Sequence, residues 1–295
     1  MNIIGNYNML ISWIIIGKNW LPEAPLLIES LNKQNINSDL VELILIDDGS
    51  DDKSVDALKN ISYKNKQIIS LDSSNGRCHA RNCGINLASG KFCLFTNSNI
   101  IPEKDFLSQY IQILSNPNLD GAAGIINYSS SDDVFENYLN NSRRGLKKLK
   151  AGELLPIEYV LFGNCAIKTK LLRNISGFNE KLNGYGGEEI ELLNRINQTQ
   201  ELRLVKIDAN SIRINHPGFN VHCNRLIEFG KTNFKLLDSD IQQKIIPNLF
   251  LKFYKFLPIY IMIMKLVLIN QIIRGKSFLV IRSIMGLSII RGYKS

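Results

Sequence analysis

The chain has 295 residues, 45% hydrophobic and 21% charged, which is the composition of an ordinary globular protein with one large domain or two small ones. Its five cysteines, Cys78, Cys83, Cys93, Cys165 and Cys223, form no CxxC pair; that excludes a zinc ribbon and a thioredoxin motif and reads as reduced thiols of a cytosolic protein. The net charge of +8 lies in the tail, where residues 245–295 carry eight basic side chains and no acid while the other 244 residues carry 27 of each sign, so a nucleic-acid-binding core is excluded and the tail is expected to have a partner of its own.

No basic leader precedes the first apolar run, so a signal peptide is not expected. LISWIII (10–16) is a short β-branched run that predicts a buried strand, and LLIESLNKQN (26–35) predicts a helix. VELILID (41–47) predicts a second strand that stops at DDGSDD (47–52), a run of turn and N-cap residues leading into another helix. KQIISLD (66–72) is a third strand, and SSNGRCHARNCGINLASG (73–90) reads as a loop and then a helix ending at Gly90. KFCLFTN (91–97) is the fourth strand. Strands alternating with helices imply parallel βαβ units and a doubly wound α/β sheet, whose ligand crevice lies beyond the carboxyl ends of the strands. DDGS and TNSN (96–99) both fall at those ends and are expected to face one crevice.

The pattern then changes. Residues 121–135 read as a strand and a loop, and RRGLKKLKAGE (143–153) as a basic, mobile segment. Residues 159–196 begin with a strand and continue through a helix and a Gly-rich loop into a second helix with Ile190, Leu193 and Ile196 on one side. LRLVKID, IRINHPGF and an apolar, basic tail follow.

Two carboxylate pairs stand out. Asp47 and Asp48 either form the turn and cap the next helix, or accept hydrogen bonds from a nucleotide base or ribose. In GYGGEEIELLNRI, Gly184, Gly186 and Gly187 precede Glu188 and Glu189, which open a helix. Acids there complement the helix dipole, or one of them is a general base at a cleft edge. The glycines allow close approach of a ligand, and Gly186 and Gly187 are the candidate acceptor contacts. His216 and His222 are read as structural unless partners for a metal gather round them.

ISWIIIGKN, LILIDDGSDD, NGRCHARNCGINLASGKFCLF and FGNCAIKTKLLRNISGFNEKLNGYGGEEIEL occur in this order and together resemble the family-2 glycosyltransferases of GT-A fold, over roughly residues 8 to 225. The GYGGEE segment looks like the carboxyl half of β-galactosyltransferase-type enzymes. The resemblance implies a mixed, Rossmann-like sheet and a nucleotide sugar, usually a UDP-sugar, bound beyond the strand ends. It gives Asp47 and Asp48 the base and ribose, and sets Arg81, Asn82, Asn75 and Gly76 near the nucleotide. It makes Glu189 the catalytic base, with Glu188 beside it, and His216 a metal ligand. It implies an in-line, inverting displacement at the anomeric carbon. Where the family carries a DxD motif for Mn²⁺ or Mg²⁺, this chain reads Asn97, Ser98 and Asn99. Amide carbonyls ligate a cation without adding charge, which leaves three readings. The diphosphate helps hold an ion with His216; or Arg77, Arg81 or Lys91 replace the ion; or the chain is a non-catalytic subunit that pairs with an active transferase. GxGxxG is absent after the first strand, which sets aside a dinucleotide oxidoreductase, and the Gly-rich, Arg-containing loop of a sugar nucleotidyltransferase is missing there too.

The division expected is a nucleotide-sugar half (1–125), a half carrying the acceptor site and base (126–240), and a helical tail (241–295). The apolar blocks at 256–264 and 266–273 are split by Lys265, and a basic apolar helix without acids is expected to lie on an anionic membrane surface. Packing on the domain and spanning are the alternatives. The enzyme is therefore expected in the cytoplasm, peripheral at the inner face of the membrane, with a glycan or lipid-linked acceptor.

Overall fold

The computed structural model describes residues 10–34, 39–246 and 278–295, with Pro258, Ile261, Met262 and Lys265. The two apolar blocks of the tail otherwise lie outside the described residues. Strand β1 (Ile11–Gly17) leads to helix α1 (Ala24–Asn32), which carries Pro25 in its first turn, where no intrahelical donor is lost. Then come β2 (Val41–Asp47), α2 (Ser54–Leu58), β3 (Lys66–Ser70), α3 (Arg77–Leu87), β4 (Phe92–Asn97), β5 (Ile100–Pro102) and α4 (Phe106–Leu114). The later part holds β6 (Gly121–Ser130), α5 (Asp133–Leu139), β7 (Cys165–Lys168), α6 (Thr169–Asn174), α7 (Glu188–Thr199) and β8 (Leu204–His216). It closes with α8 (Phe219–Lys231), α9 (Asn233–Leu236), α10 (Ser239–Ile245) and α11 (Phe278–Lys294).

The strands form one mixed sheet in the order β3-β2-β1-β4-β7-β6-β8-β5. The first four named are parallel to one another, β7 runs antiparallel to both its neighbours, and β6 and β8 are parallel. Both faces are covered, which is why the central strands read as unbroken apolar runs. Trp13 and Ile15 point into the core shared with α1 and α4, and Ile14 and Ile16 into the core shared with α3 and α7. In register, Gly17 pairs with Asp47 and Ile16 with Asn97, so three strand ends reach one rim.

Several expectations are corrected. The loop expected near residue 133 is the helix α5, begun by Asp132, whose carboxylate accepts from Phe135 N at 3.0 Å. The basic segment contains a 3₁₀ turn at Gly145–Lys148. LRLVKID and IRINHPGF are largely one strand, β8, whose register against β6 shifts twice. The last part of the tail, α11, packs on α8. A Cβ on Gly230 would lie 2.1 Å from Ile289 O, and one on Gly292 would lie 1.9 Å from Ile227 O, so two backbones meet where neither helix has a side chain. Val280, Ile281, Leu287, Ile289 and Ile290 are buried, so this helix packs on the domain. Among the described residues no helix is long and apolar enough to cross a membrane.

Candidate active site

A crevice of about 290 Å³ opens at the common rim of β1, β2 and β4, walled by Lys18, Asn19, Glu23, Asp48, Arg77, Asn97, Ser98, Asn99 and Arg213. The chain turns are anchored before any ligand arrives. Asp47 is wholly buried and accepts from Ser50 N at 3.1 Å, from the Ser50 hydroxyl and from Ser70 Oγ at 3.2 Å. Asp48 accepts from Ser74 Oγ at 2.8 Å, Asn75 N at 2.9 Å and Gly76 N at 3.2 Å. The pair therefore folds the loops of the rim, and Asp48 also faces the crevice. Asn75 is exposed, its amide bonded back to Ser73 O at 3.0 Å. Gly76 takes a φ of 89° ahead of α3, a conformation that favours glycine.

Helix α3 then presents two guanidiniums to the start of α7. Arg81, 1% exposed, reaches Glu188 Oε1 with Nη1 at 3.4 Å and Glu189 Oε1 with Nη2 at 3.4 Å. Arg77 Nη2 is 3.2 Å from the same Glu188 oxygen. The Arg81 guanidinium lies against a pair of edge-to-face rings, 5.1 Å from the centre of Phe178 and 5.8 Å from that of Phe162. Glu188 is buried, so its charge requires these partners. Glu189 is only partly buried and keeps an edge open. Desolvation and the Glu188 charge raise its pKa above the usual carboxylate value, against the pull of Arg81 and Arg77. Glu189 is not among the crevice walls but is linked to Arg77 of the wall through Arg81 and Glu188, and a carboxylate with a raised proton affinity is suited to taking a proton.

The glycines before α7 are explained without a ligand. Gly186 and Gly187 have φ of 79° and 87°, and a Cβ on Gly187 would lie 3.0 Å from Phe229 Cε2. Wholly buried Asn233 ties this loop down, donating to Gly186 O at 2.7 Å and accepting from Gly184 N at 3.0 Å.

Asn82 faces away from the crevice. It donates to Phe178 O at 3.0 Å and Glu180 Oε1 at 2.8 Å and accepts from Phe178 N at 2.8 Å, fastening α3 to the 178–180 loop. His216 is not among the crevice walls. Its ring meets Tyr128, Phe135 and His222, and burial lowers its pKa to about 4. Arg81 is committed to the two glutamates, and Lys91 precedes β4 at the end opposite Asn97. Arg77 remains of the cations considered. Arg213, which sequence reasoning missed, joins it, and its Nε is buried without a partner. The signal was the alternation in IRINH, which puts Arg213 and Asn215 on one face of the strand.

Asn97 Oδ1 is likewise buried with no partner. The other oxygen-bearing side chains of the walls are Asn19, Ser98 and Asn99, which are neutral, and the carboxylates Glu23 and Asp48, set against Lys18, Arg77 and Arg213. Among the described residues no three His, Cys, Asp or Glu side chains gather where a cation could sit. The described residues therefore do not by themselves complete a site for Mn²⁺ or Mg²⁺, and an ion there would need oxygens of the ligand.

The model of glycosyl transferase family 2 matches residues 12–176, and that of the N-terminal domain of galactosyltransferase matches residues 150–217. The minor teichoic acid biosynthesis protein GgaB of Bacillus subtilis is 28% identical over 209 residues, 68% of this chain and 22% of that protein. Glycosyltransferase GlyG of Streptococcus pneumoniae is 26% identical over 131 residues, 43% of each chain. The chain thus spans less than half the length of these relatives. In fold it is similar to Staphylococcus aureus TarS 1–349 in complex with UDP-GlcNAc (TM-score 0.60, 18% identity, 84% of this chain and 73% of that one). It is also similar to the mannosyltransferase PcManGT of Pyrobaculum calidifontis in complex with GDP-Man and Mn²⁺ (TM-score 0.63, 13% identity, 96% and 86%). With over half of its length matched by one family model, and with a mixed sheet of GT-A type, the chain belongs to glycosyl transferase family 2.

Proposed function

We propose that the chain is an inverting glycosyltransferase that moves a sugar from a nucleotide sugar, of UDP type, to a lipid-linked or polysaccharide acceptor in cell-surface glycan synthesis. The observation that carries this is Glu189, open at one edge at the amino end of α7, raised in proton affinity and linked through Arg81 and Glu188 to a guanidinium of the crevice wall. Glu189 takes the proton of an acceptor hydroxyl as its oxygen attacks the anomeric carbon. The bond from that carbon to the diphosphate oxygen breaks, and the diphosphate leaves with the electron pair. Arg77 and Arg213 face the charge that develops on it. Asp48 and Asn97 offer acceptors to the ribose and base. The UDP preference is supported by the UDP-GlcNAc complex of TarS, and the acceptor class by the teichoic acid role in the name of GgaB and by a dolichyl phosphate-linked glycosyltransferase of Methanococcus voltae (30% identical over 113 residues, 36% of this chain and 35% of that one).

The test is Glu189→Gln, which keeps shape and removes the base. Transfer should fall roughly a hundred- to ten-thousandfold with UDP affinity retained. Turnover equal to the parent would overturn the base assignment. A second reading, a non-catalytic subunit, rests on the two amides at Asn97 and Asn99. Sugar transfer by the purified chain alone would dispose of it.

A further inference from the structure

A larger cavity, about 490 Å³, opens against segment 158–161, between β6, α5, the 3₁₀ turn and α11. Five cations line it: Arg143, Arg144, Lys147, Lys148 and Arg282. Its one acid, Glu158, is 3.3 Å from Lys244. Among the described residues none of the five cations has a carboxylate partner. Three of them lie over rings: Arg144 over Tyr138 at 5.0 Å, Lys147 over Tyr128 at 5.9 Å and Lys148 over Tyr159 at 4.4 Å. Lys147 also donates to Asn140 Oδ1 at 2.9 Å.

Holding five like charges around one hollow costs free energy unless an anion enters it. The strain is visible at Lys147, whose pKa falls to about 8 through burial and the neighbouring Arg144 charge. The hollow also adjoins the reacting centre. Leu161 and Tyr159 wall it, and the backbone of the next residue, Phe162, is near enough to Glu189 to oppose the rise in its pKa.

We propose that this cavity seats a phosphate group of the acceptor, so that the acceptor is a phosphate-bearing molecule whose hydroxyl is then offered to Glu189. This deepens the glycosyltransferase reading and rests on it. Arginine and lysine recognise phosphate by charge-assisted hydrogen bonds, and the tyrosine walls suit the carbon skeleton joined to it. The phosphate comes either from a phosphodiester chain or from the head of a lipid carrier, and the test separates the two.

The full chain, saturated with UDP, is titrated calorimetrically with a glycerol-phosphate oligomer, with a short-chain prenyl diphosphate and with neutral glycerol. At least one phosphate probe should bind, and glycerol should not. Whichever phosphate probe binds more tightly names the source. In Arg144→Gln/Lys147→Gln that affinity should fall at least tenfold, with UDP affinity retained. Arg143→Gln/Lys148→Gln, at the exposed edge, should weaken binding in the same direction and stands in if the first variant fails to fold. Equal affinity in parent and folded variants would overturn the proposal. So would binding to phosphatidylglycerol vesicles with no binding of either soluble probe, which would assign the charges to a membrane surface. If UDP itself fails to bind, the glycosyltransferase reading falls, while the phosphate titration without UDP still reads the cavity.

Discussion

Arg81 Nη2 lies 3.4 Å from Glu189 Oε1, and the same guanidinium bridges to buried Glu188 at 3.4 Å. One side chain thus pairs with a carboxylate in the core and with Glu189, the acid proposed as the base. Its charge opposes the desolvation that raises the pKa of Glu189.

Arg81→Met keeps much of the apolar stem and removes the charge. Glu188 is left with Arg77 alone, and stability should drop by about 3 kcal/mol, read from denaturant midpoints. The pKa of Glu189 should rise further. Its carboxylate must be unprotonated to act, so the acid limb of the kcat/KM profile moves to higher pH. An acid limb that stays in place would mean that another group sets it.

The two histidines of the aromatic cluster make the fold acid-sensitive. Burial is the main cause of depressed folded values, about 4 for His216 and about 3 for His222, whose ring nitrogens have no hydrogen-bond partner among the described residues. Both lie below the free imidazole value of 6.5, so the unfolded chain takes up protons first. Stability is whole above that value and is lost as pH falls through 6.5 towards the folded values, by at most about 1.4 kcal/mol per pH unit for each ring. His222→Phe fits among Phe135, Tyr185 and His216 without a titrating group. Denaturation at a series of pH values should give a shallower slope for it between pH 6.5 and 4 than for the parent. Parallel slopes would rule out His222 as a source.

The seam between α8 and α11 depends on two glycines facing each other. Gly292→Val adds atoms 1.9 Å from a carbonyl and must push the helices apart. Destabilisation of roughly 2 to 4 kcal/mol is expected, with α11 cleaved first in limited proteolysis. A variant as resistant as the parent would show that α11 contributes little to the fold.

Strands β1, β2 and β4 were legible because each is an apolar run buried on both faces, and β3 through its flanking turn residues, since KQIIS is only partly buried; the expected 41–47 coincides with β2, and 91–97 with β4 to within one residue. The placement of β7 between β4 and β6 was not, because four residues carry no signal for which distant strands they will pair with. At the site, Asp48, Arg81 and Glu189 announced themselves through local motifs. Asn82 and the glycines of GYGG drew attention for the same reason, yet their bonds and dihedrals are spent on the fold. Arg213 was hidden because its role comes from where β8 lies beside β5, a pairing across more than a hundred residues.

Arg213 also bears on the two amides. If the arginines meet the diphosphate in place of an ion, UDP binding should survive EDTA nearly unchanged, since Asn97 and Asn99 add no charge to hold a metal. Arg213→Gln should then weaken UDP at least tenfold, because a guanidinium facing a diphosphate is lost from a crevice where its Nε has no other partner. The deficit should shrink as salt rises in the parent titration, as expected of exposed charge pairs. Calorimetry of parent and variant, each with Mn²⁺ and with EDTA, reads both effects at once. Tight binding only with Mn²⁺, at equal strength in parent and Arg213→Gln, would mean that ligand oxygens complete a metal site around Asn97 and that the arginine is a bystander.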